Sequence, residues 1–465
     1  MQKFLRKYSI SIFSICLFFF LIFGVESSSA ESKIQKDKIK ISRESLHAQM
    51  SSLLQSTFKQ WYPLSIDTVY GGFFSDINYK WKLEGDQNKM IVTQARHVWT
   101  NANASIFYGK KEPFFRTATH GYKFLRNVMY DKKYGGFYNL VNRRGKPIED
   151  NGKIIKQIYG TAFAIYGLAG YYAAFKDKSA LNLAIKTFRW MDTHSYDPKY
   201  GGYFQFLTRE GKPFINGYEN TPPKDQNSMI HIMECFTELY RVWPDPLLRK
   251  RLYSLFHLVR DTVVGDKGYM TLFFKRDWTP VSYRDSSERS RRRHFELDHI
   301  SFGHDVETAY LLLDASKALG IKNDTTTLRI AKQLDDFALD NGWDNKKGGI
   351  YDGGYIFKGE KKVTIILKTK EWWSQIEALN SFFMMSVYYP NDNHNYYDKF
   401  LTQWHYIKEF CIDHKYGGWY WGGIDEAPKN QFAPKATIWK ANYHTTRGLI
   451  NCLRRLKDDK AIEWK

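Results

Sequence analysis

The 465-residue chain is poor in cysteine, with only Cys16, Cys235, Cys411 and Cys452. Cys16 falls inside an apolar N-terminal run, and the other three are far apart. Such spacing builds neither a disulfide framework nor a zinc site, so buried thiols are expected. Acidic residues are also short: 49 Asp and Glu stand against 69 Lys and Arg, a formal charge of +20. An excess of that sign can attract polyanions or anionic membrane surfaces. Yet the basic residues are scattered, and the one dense run is Arg291-Arg292-Arg293. No nucleic-acid module accompanies it, so nucleic acid is set aside as a partner and a solvated basic surface is expected. Linkers are lacking too, since no composition break divides the chain beyond residue 40.

Aromatic residues are abundant, at 17% of the chain, with 14 Trp, 32 Tyr and 33 Phe. They suit flat ligands such as sugar rings, and equally a large all-α core. Residues 1–30 read as a secretory signal peptide. Lys3, Arg6 and Lys7 form a basic head, Tyr8 to Val25 an uncharged run, and Ser28-Ser29-Ala30 a cleavage site. The run is also long enough to serve as an uncleaved membrane anchor. The expected location is therefore exported, periplasmic or secreted, with N-terminal anchoring as the alternative. Residues 31–40 form a polar linker, and residues 41–465 a single domain.

One motif recurs along that domain. Asp131-Lys-Lys-Tyr-Gly135-Gly136 has counterparts ending in Gly71-Gly72, Gly201-Gly202, Gly348-Gly349 and Gly417-Gly418, and a degraded copy around Gly268. Stretches 134–147 and 200–213 alternate aromatic and polar residues before a Gly-Lys-Pro turn, which predicts short hairpin ribbons. Two helix-sized segments lie between successive loops. The pattern predicts helices at 42–62, 92–109, 114–130, 156–175, 178–195, 225–242, 246–263, 302–319, 325–340, 371–390, 395–412 and 437–457. Nothing resembles polar end-caps, so six helical hairpins imply a closed ring rather than an open stack. The predicted fold is an all-α (α/α)6 barrel with short β-hairpin loops at one end.

Residues suited to chemistry or sugar binding concentrate where the helix after each loop begins. They include Arg96, Tyr159, Asn227, His231, His304, Glu307, Trp372, Trp373, Glu377, His444 and Arg447. Asn227/His231 and Trp373/Glu377 are four apart; His304/Glu307 and His444/Arg447 are three apart, so each pair shares a helix face. Facing inward, they would assemble a proton-transfer site where helix N-termini favour developing negative charge. The outer-helix residues His47, His120, His194 and His257 read as surface or structural. The order His-x-x-Glu does not match HExxH and reverses the Glu-x-x-His of di-iron bundles, so no metal is assigned.

The segments GHDVETAYLL, WWSQIEAL, QNSMIHIMECFTELYRVWPD and WKANYHTTR resemble the N-acylglucosamine 2-epimerase superfamily, most closely its cellobiose 2-epimerase branch. The likeness runs from about residue 45 to 457. It implies an enzyme that inverts C2 of a reducing-end sugar with no redox cofactor, the sugar being a mono- or oligosaccharide. His304 and His444 would exchange the C2 proton from opposite sides through an enediolate. His231 and Glu307 would open the ring or hold hydroxyls, and Arg96 would stabilise the enediolate oxygen. Trp372 and Trp373 would stack on the sugar, with Glu377, Asn227 and Tyr159 as hydrogen-bonding partners. Tyr310 stands near the sugar, where that branch usually has Trp, and Arg447 joins the substrate-binding set. Alternatives on the same barrel are a mannose isomerase, a glycoside hydrolase or lyase using Glu307 and Glu377, and a sugar-binding protein with lapsed catalysis. The expected assembly is a monomer or homodimer.

Overall fold

The computed structural model describes residues 41–458; the targeting segment, Cys16 and the linker lie outside the described residues. Twelve long helices form where the sequence pattern places them. The outer set is α1 (Arg43–Trp61), α3 (Phe114–Phe124), α5 (Lys178–Ser195), α7 (Pro246–Leu258), α10 (Thr325–Asn341) and α12 (Tyr396–Tyr406). The inner set is α2 (Ile91–Tyr108), α4 (Ile158–Phe175), α6 (Gln226–Val242), α9 (Phe302–Leu319), α11 (Trp372–Tyr388) and α13 (Tyr443–Lys457). A further short helix, α8 (Glu288–His294), carries Arg291-Arg292-Arg293 within the long insertion and buries none of its residues.

Periodicity explains which helix goes where. α5 buries Ala180, Ala184, Thr187, Phe188, Met191 and Ser195, a stripe at three-to-four spacing that leaves the rest to solvent. α4 instead buries every residue from Ile158 to Tyr171, as a helix enclosed on all sides must. Consecutive inner helices pack on one another, and α13 closes the circle against α2 and α1. The all-α (α/α)6 barrel expected from the repeat is the observed fold. No helix among the described residues is long and apolar enough to cross a membrane.

Each inner helix but the last starts directly from a strand of two or three residues or an isolated bridge. β1 (Lys89–Met90) pairs with β2 (Leu140–Val141), β3 (Ile155–Gln157) with β4 (Phe206–Thr208), and β5 (Lys224–Asp225) with β6 (Phe273–Phe274), all antiparallel. β7 (Ile300–Ser301) joins β8 (Gly353–Tyr355) and β9 (Thr364–Leu367) in a three-stranded sheet. The ribbons expected at 134–147 and 200–213 are present, closed by the bridges Val141–Pro147 and Leu207–Pro213. The last helix begins at Tyr443 rather than 437. The Thr437 hydroxyl accepts the amides of Trp439 and Lys440, 3.1 Å each, and holds a turn there instead.

The Asp–Gly–Gly loops are clasps. Asp67, Asp131, Asp197, Asp344 and Asp413 accept loop amides and pair with the buried Lys89, Lys156, Lys224, Lys370 and Lys435 at 2.6–3.2 Å. The first four lysines lie two residues before an inner helix, so each clasp ties a loop to a helix entrance. They also donate to the carbonyl of the loop's first glycine, as Lys370 does to Gly348 at 3.0 Å. Glycine is required there: Gly136 has φ +65°, and a Cβ on it would meet the Trp190 ring at 2.7 Å. The degraded fourth copy has Ile300 at the lysine position; Asp305 of α9 instead accepts the Met270 amide at 2.9 Å.

Candidate active site

The inner helices begin at one end of the barrel, and their side chains form two tiers there. Tyr159, Asn227, Trp373 and His444 are the second residues of α4, α6, α11 and α13, and His304 is the third of α9. One turn deeper come Arg96, His231, Glu307, Glu377 and Arg447, fifth or sixth in their helices. A helical repeat near 3.6 makes each deep residue except Arg96 sit beneath an upper one. Five of the six entrances, α6 excepted, have no side-chain cap, so backbone N–H groups remain to favour negative charge nearby.

Arg447 organises the deep tier. Its guanidinium donates to Glu234, to Glu307, and at 2.7 Å to Glu377. It also donates to the Tyr443 hydroxyl at 2.6 Å, which in turn donates to Glu234. Burial would raise the Glu234 carboxyl, but Arg447, His231 and Tyr443 outweigh it and hold Glu234 well below the ordinary carboxylate range. At Glu377 burial prevails over Arg447, and its pKa is raised. Glu307 Oε2 and Glu377 Oε2 are buried with no partner among the described residues.

Both histidines that the sequence singles out meet this cluster from the upper tier. His444 Nδ1 lies 2.9 Å from Glu377 Oε1 and 3.9 Å from Glu307 Oε1. A carboxylate neighbour puts the ring proton on Nδ1 and leaves Nε2 with a lone pair. His304 is half-buried, with Nδ1 2.7 Å from the Ser301 hydroxyl. Trp373 touches both, its ring centroid 4.7 Å from His304 and 5.8 Å from His444. Laid end to end, those legs put the imidazoles within about 10.5 Å of each other. Burial lowers His304 to about 4 and His444 well below its ordinary value, so both are neutral near pH 7.

The remaining candidates divide. His231 Nδ1 donates to Glu234 at 2.8 Å, and its ring packs 5.3 Å from Tyr159. Arg96 donates to the Tyr159 hydroxyl at 3.1 Å and lies over Phe163 and Tyr443. Its Nε and the Asn227 side-chain oxygen have no partner among the described residues. Tyr310 is deeper, 6.0 Å from the Arg447 guanidinium. Trp372 is the exception. It packs on Trp421 at 4.8 Å and under Lys440, without ring contact to either histidine, so its stacking role does not fit. Consecutive helix residues are about 100° apart, which is why Trp372 and Trp373 cannot share one face.

Two groups escaped the sequence reading. Tyr443 joins the Arg447 cluster, and the signal was its four-residue spacing from Arg447. Glu371 accepts the indole N–H of Trp373 at 2.7 Å and of Trp421 at 3.1 Å, fixing the plane of the ring between the histidines. Glu307, Glu377 and His444 also have atoms close enough for one cation, but Arg447 Nη2 already lies against both carboxylates. Among outer histidines, His120 and His194 approach loop carbonyls of Gly72 and Gly211, the structural roles expected of them. Cys235, Cys411 and Cys452 are free and buried, as expected.

His304 and His444 share Trp373 at one end of an (α/α)6 barrel that also holds a carboxylate–arginine cluster, and comparison with known proteins gives the class of enzyme. Residues 72–447 match the family described as N-acylglucosamine 2-epimerase (GlcNAc 2-epimerase), and the chain belongs to that family. A cellobiose 2-epimerase of Bacteroides fragilis is 29% identical over 399 residues, 84% of this chain and 94% of that protein. A D-mannose isomerase of Marinomonas mediterranea is 24% identical, covering 87% of this chain and 96% of its own length. The structure of cellobiose 2-epimerase from Spirochaeta thermophila superposes with a TM-score of 0.75 at 26% identity, covering 90% of this chain and 98% of that one. The chain is an enzyme of the sugar epimerase and isomerase class.

Proposed function

We propose that the protein epimerises C2 of a reducing-end glucose or mannose unit, as in cellobiose, by proton exchange between two histidines. The observation that carries this reading is Trp373 in contact with both His304 and His444. A sugar stacked on that indole lies beside both imidazoles. The C2 proton is acidic only beside a carbonyl, so the ring opens first. His231, backed by Glu234, suits proton transfer to the ring oxygen. One neutral imidazole then takes the C2 proton and becomes an imidazolium, giving an enediolate. The other, having picked up a proton from solvent, gives it to the opposite face of C2, and the first releases its proton to solvent. Arg96 supplies positive charge for the enediolate oxygen. The unpartnered oxygens of Glu307 and Glu377 suit sugar hydroxyls as donors.

Cellobiose, mannobiose, glucose and mannose incubated with the protein in heavy water test the reading. Deuterium at C2 with a glucose–mannose change is expected. A ketose product would instead support mannose-isomerase chemistry, and chain shortening without exchange a hydrolase. His304→Ala and His444→Ala should each lower turnover by at least about 10³-fold while the helical circular-dichroism signal stays intact. Unfolding of both variants would return these histidines to a structural role. Export through residues 1–30 belongs to the same reading, supported by their basic head and apolar run. Fractionation of cells making the full chain tests it, and intact protein confined to the cytosol contradicts it.

A further inference from the structure

A cavity lies where α13 closes the ring onto α1. Trp61, Trp81, Trp372, Trp419, Lys440 and Asn442 line it. Its chemistry is lopsided. The indole N–H groups of Trp372 and Trp419 and the Asn442 Nδ2 are buried with no hydrogen-bond partner among the described residues. Their residues are 4%, 5% and 1% exposed. The Asn442 side-chain oxygen already accepts from the Tyr62 hydroxyl at 3.3 Å, which leaves its amide hydrogens as the unmatched end.

Lys440 adds a buried amine, whose pKa burial and the nearby Lys435 hold well below the ordinary lysine value. Its Nζ donates to the carbonyls of Trp419 and Tyr420 at 3.0 and 2.9 Å and rests over the Trp372 and Trp421 rings. No carboxylate among the described residues is within ion-pairing distance of it. The neighbouring Lys435 is closed by Asp413 at 2.6 Å, and the Glu371 carboxylate is directed at Trp373 and Trp421.

Three unmatched donors beside a lysine with no carboxylate partner call for an acceptor that has no hydrogens of its own to place, since each unmet buried donor costs about 1–3 kcal/mol. A water would give one hydrogen to the Thr445 hydroxyl oxygen, whose own hydrogen goes to the Asn442 carbonyl, and would leave its second hydrogen unmatched. Indole edges carry the positive end of the ring quadrupole and suit a weakly hydrated anion. We propose that this cavity binds a small monovalent anion of the halide class, held by the N–H groups of Trp372, Trp419 and Asn442 beside Lys440. Asn442 and Thr445 flank His444, so the anion braces the turn into α13.

Bromide is the probe. Crystals of the protein grown in bromide should give an anomalous peak within hydrogen-bonding distance of the three nitrogens. The thermal midpoint of the full chain should rise saturably when bromide replaces gluconate at constant ionic strength. Trp419→Phe keeps the ring but removes a donor, and should shift the half-saturating bromide concentration upward at least tenfold. Lys440→Met should abolish the response; if it does not fold, the Trp419→Phe titration decides alone. A cavity without anomalous signal, peaks confined to the surface, or a Trp419→Phe titration matching the parent overturns the proposal. None of these readings depends on the reaction catalysed.

Discussion

The molecule contains two kinds of buried ion pair, and they differ in what is left over. At the rim, each clasp pairs an aspartate with a lysine, and the surrounding loop uses up the rest of both. Asp67 accepts from Lys89, Arg143 and the amides of Val69 and Tyr70, while Lys89 also reaches the carbonyls of Gly71 and Arg143. In the barrel mouth, Arg447 serves Glu234, Glu307 and Glu377 at once, and two carboxylate oxygens remain unmatched. Unsatisfied buried polar atoms are costly. A fold keeps them where a ligand completes them. Of these two networks, the satisfied one is architectural and the one with oxygens to spare lies in the barrel mouth.

The sharpest way to break that contrast is Arg447→Met. Removing one partner from a buried ion pair costs about 3–5 kcal/mol because it strands the other charge, and here three carboxylates lose their shared cation. Urea unfolding should show a loss of that order, and turnover should vanish in whatever remains folded. Arg447→Lys should recover much of the stability and little of the turnover, since a single ammonium cannot meet Glu234 and the Glu307–Glu377 pair as the two guanidinium nitrogens do. Equal recovery of both would mean the cluster needs only charge.

Clasp variants give the complementary result. Lys370 pairs with both Asp344 and Asp425, and Lys370→Met should destabilise by about 3–5 kcal/mol. Lys156→Met should cost less, because Arg209 still pairs with Asp131 at 3.0 Å. Both variants, assayed well below their melting temperatures, should keep turnover per folded molecule within about twofold of the parent, inside a 1.4 kcal/mol-per-decade scale. A large loss of turnover at full folding would show that the clasps also set the site's geometry.

This division was half legible in the sequence. The Asp-x-x-Tyr-Gly-Gly repeat announced the loops, because glycine at positive φ and a capping aspartate are local requirements. Its lysine partner was missed. Lys89, Lys156, Lys224 and Lys370 each stand 22–27 residues after their aspartate, beyond any local rule, and show only as a lysine two residues before an inner helix. The helices themselves followed from burial periodicity, and the upper and deep tiers from three- and four-residue spacings. Which of two adjacent tryptophans faces the mouth did not follow. Trp372 and Trp373 are equivalent in composition, and only the packing of Trp421 and Lys440 separates them. The Arg447 fan was equally hidden, since its three carboxylates come from α6, α9 and α11.

Acid separates the two networks more gently. His304 is lowered to about 4 and His97 to about 3 from an ordinary 6.5, both by burial. The unfolded chain therefore binds protons that the folded one refuses. Their contribution to stability is complete above about 6.5 and is lost as pH falls toward 4 and below. At Asp67 and Asp197 burial acts upward, but paired arginine and lysine outweigh it and hold both at about 2 against 3.8. Their contribution is complete above about 3.8 and is lost as pH falls toward 2. Asp225, which burial raises to about 6, acts in the opposite sense between pH 7 and 4, so the histidine contribution is read as the difference between parent and variant. The unfolding free energy of His304→Gln should fall less than the parent's as pH drops from 7 toward 4, and run parallel to it at lower pH. Curves parallel over the whole range would mean that His304 is no harder to protonate in the fold than outside it.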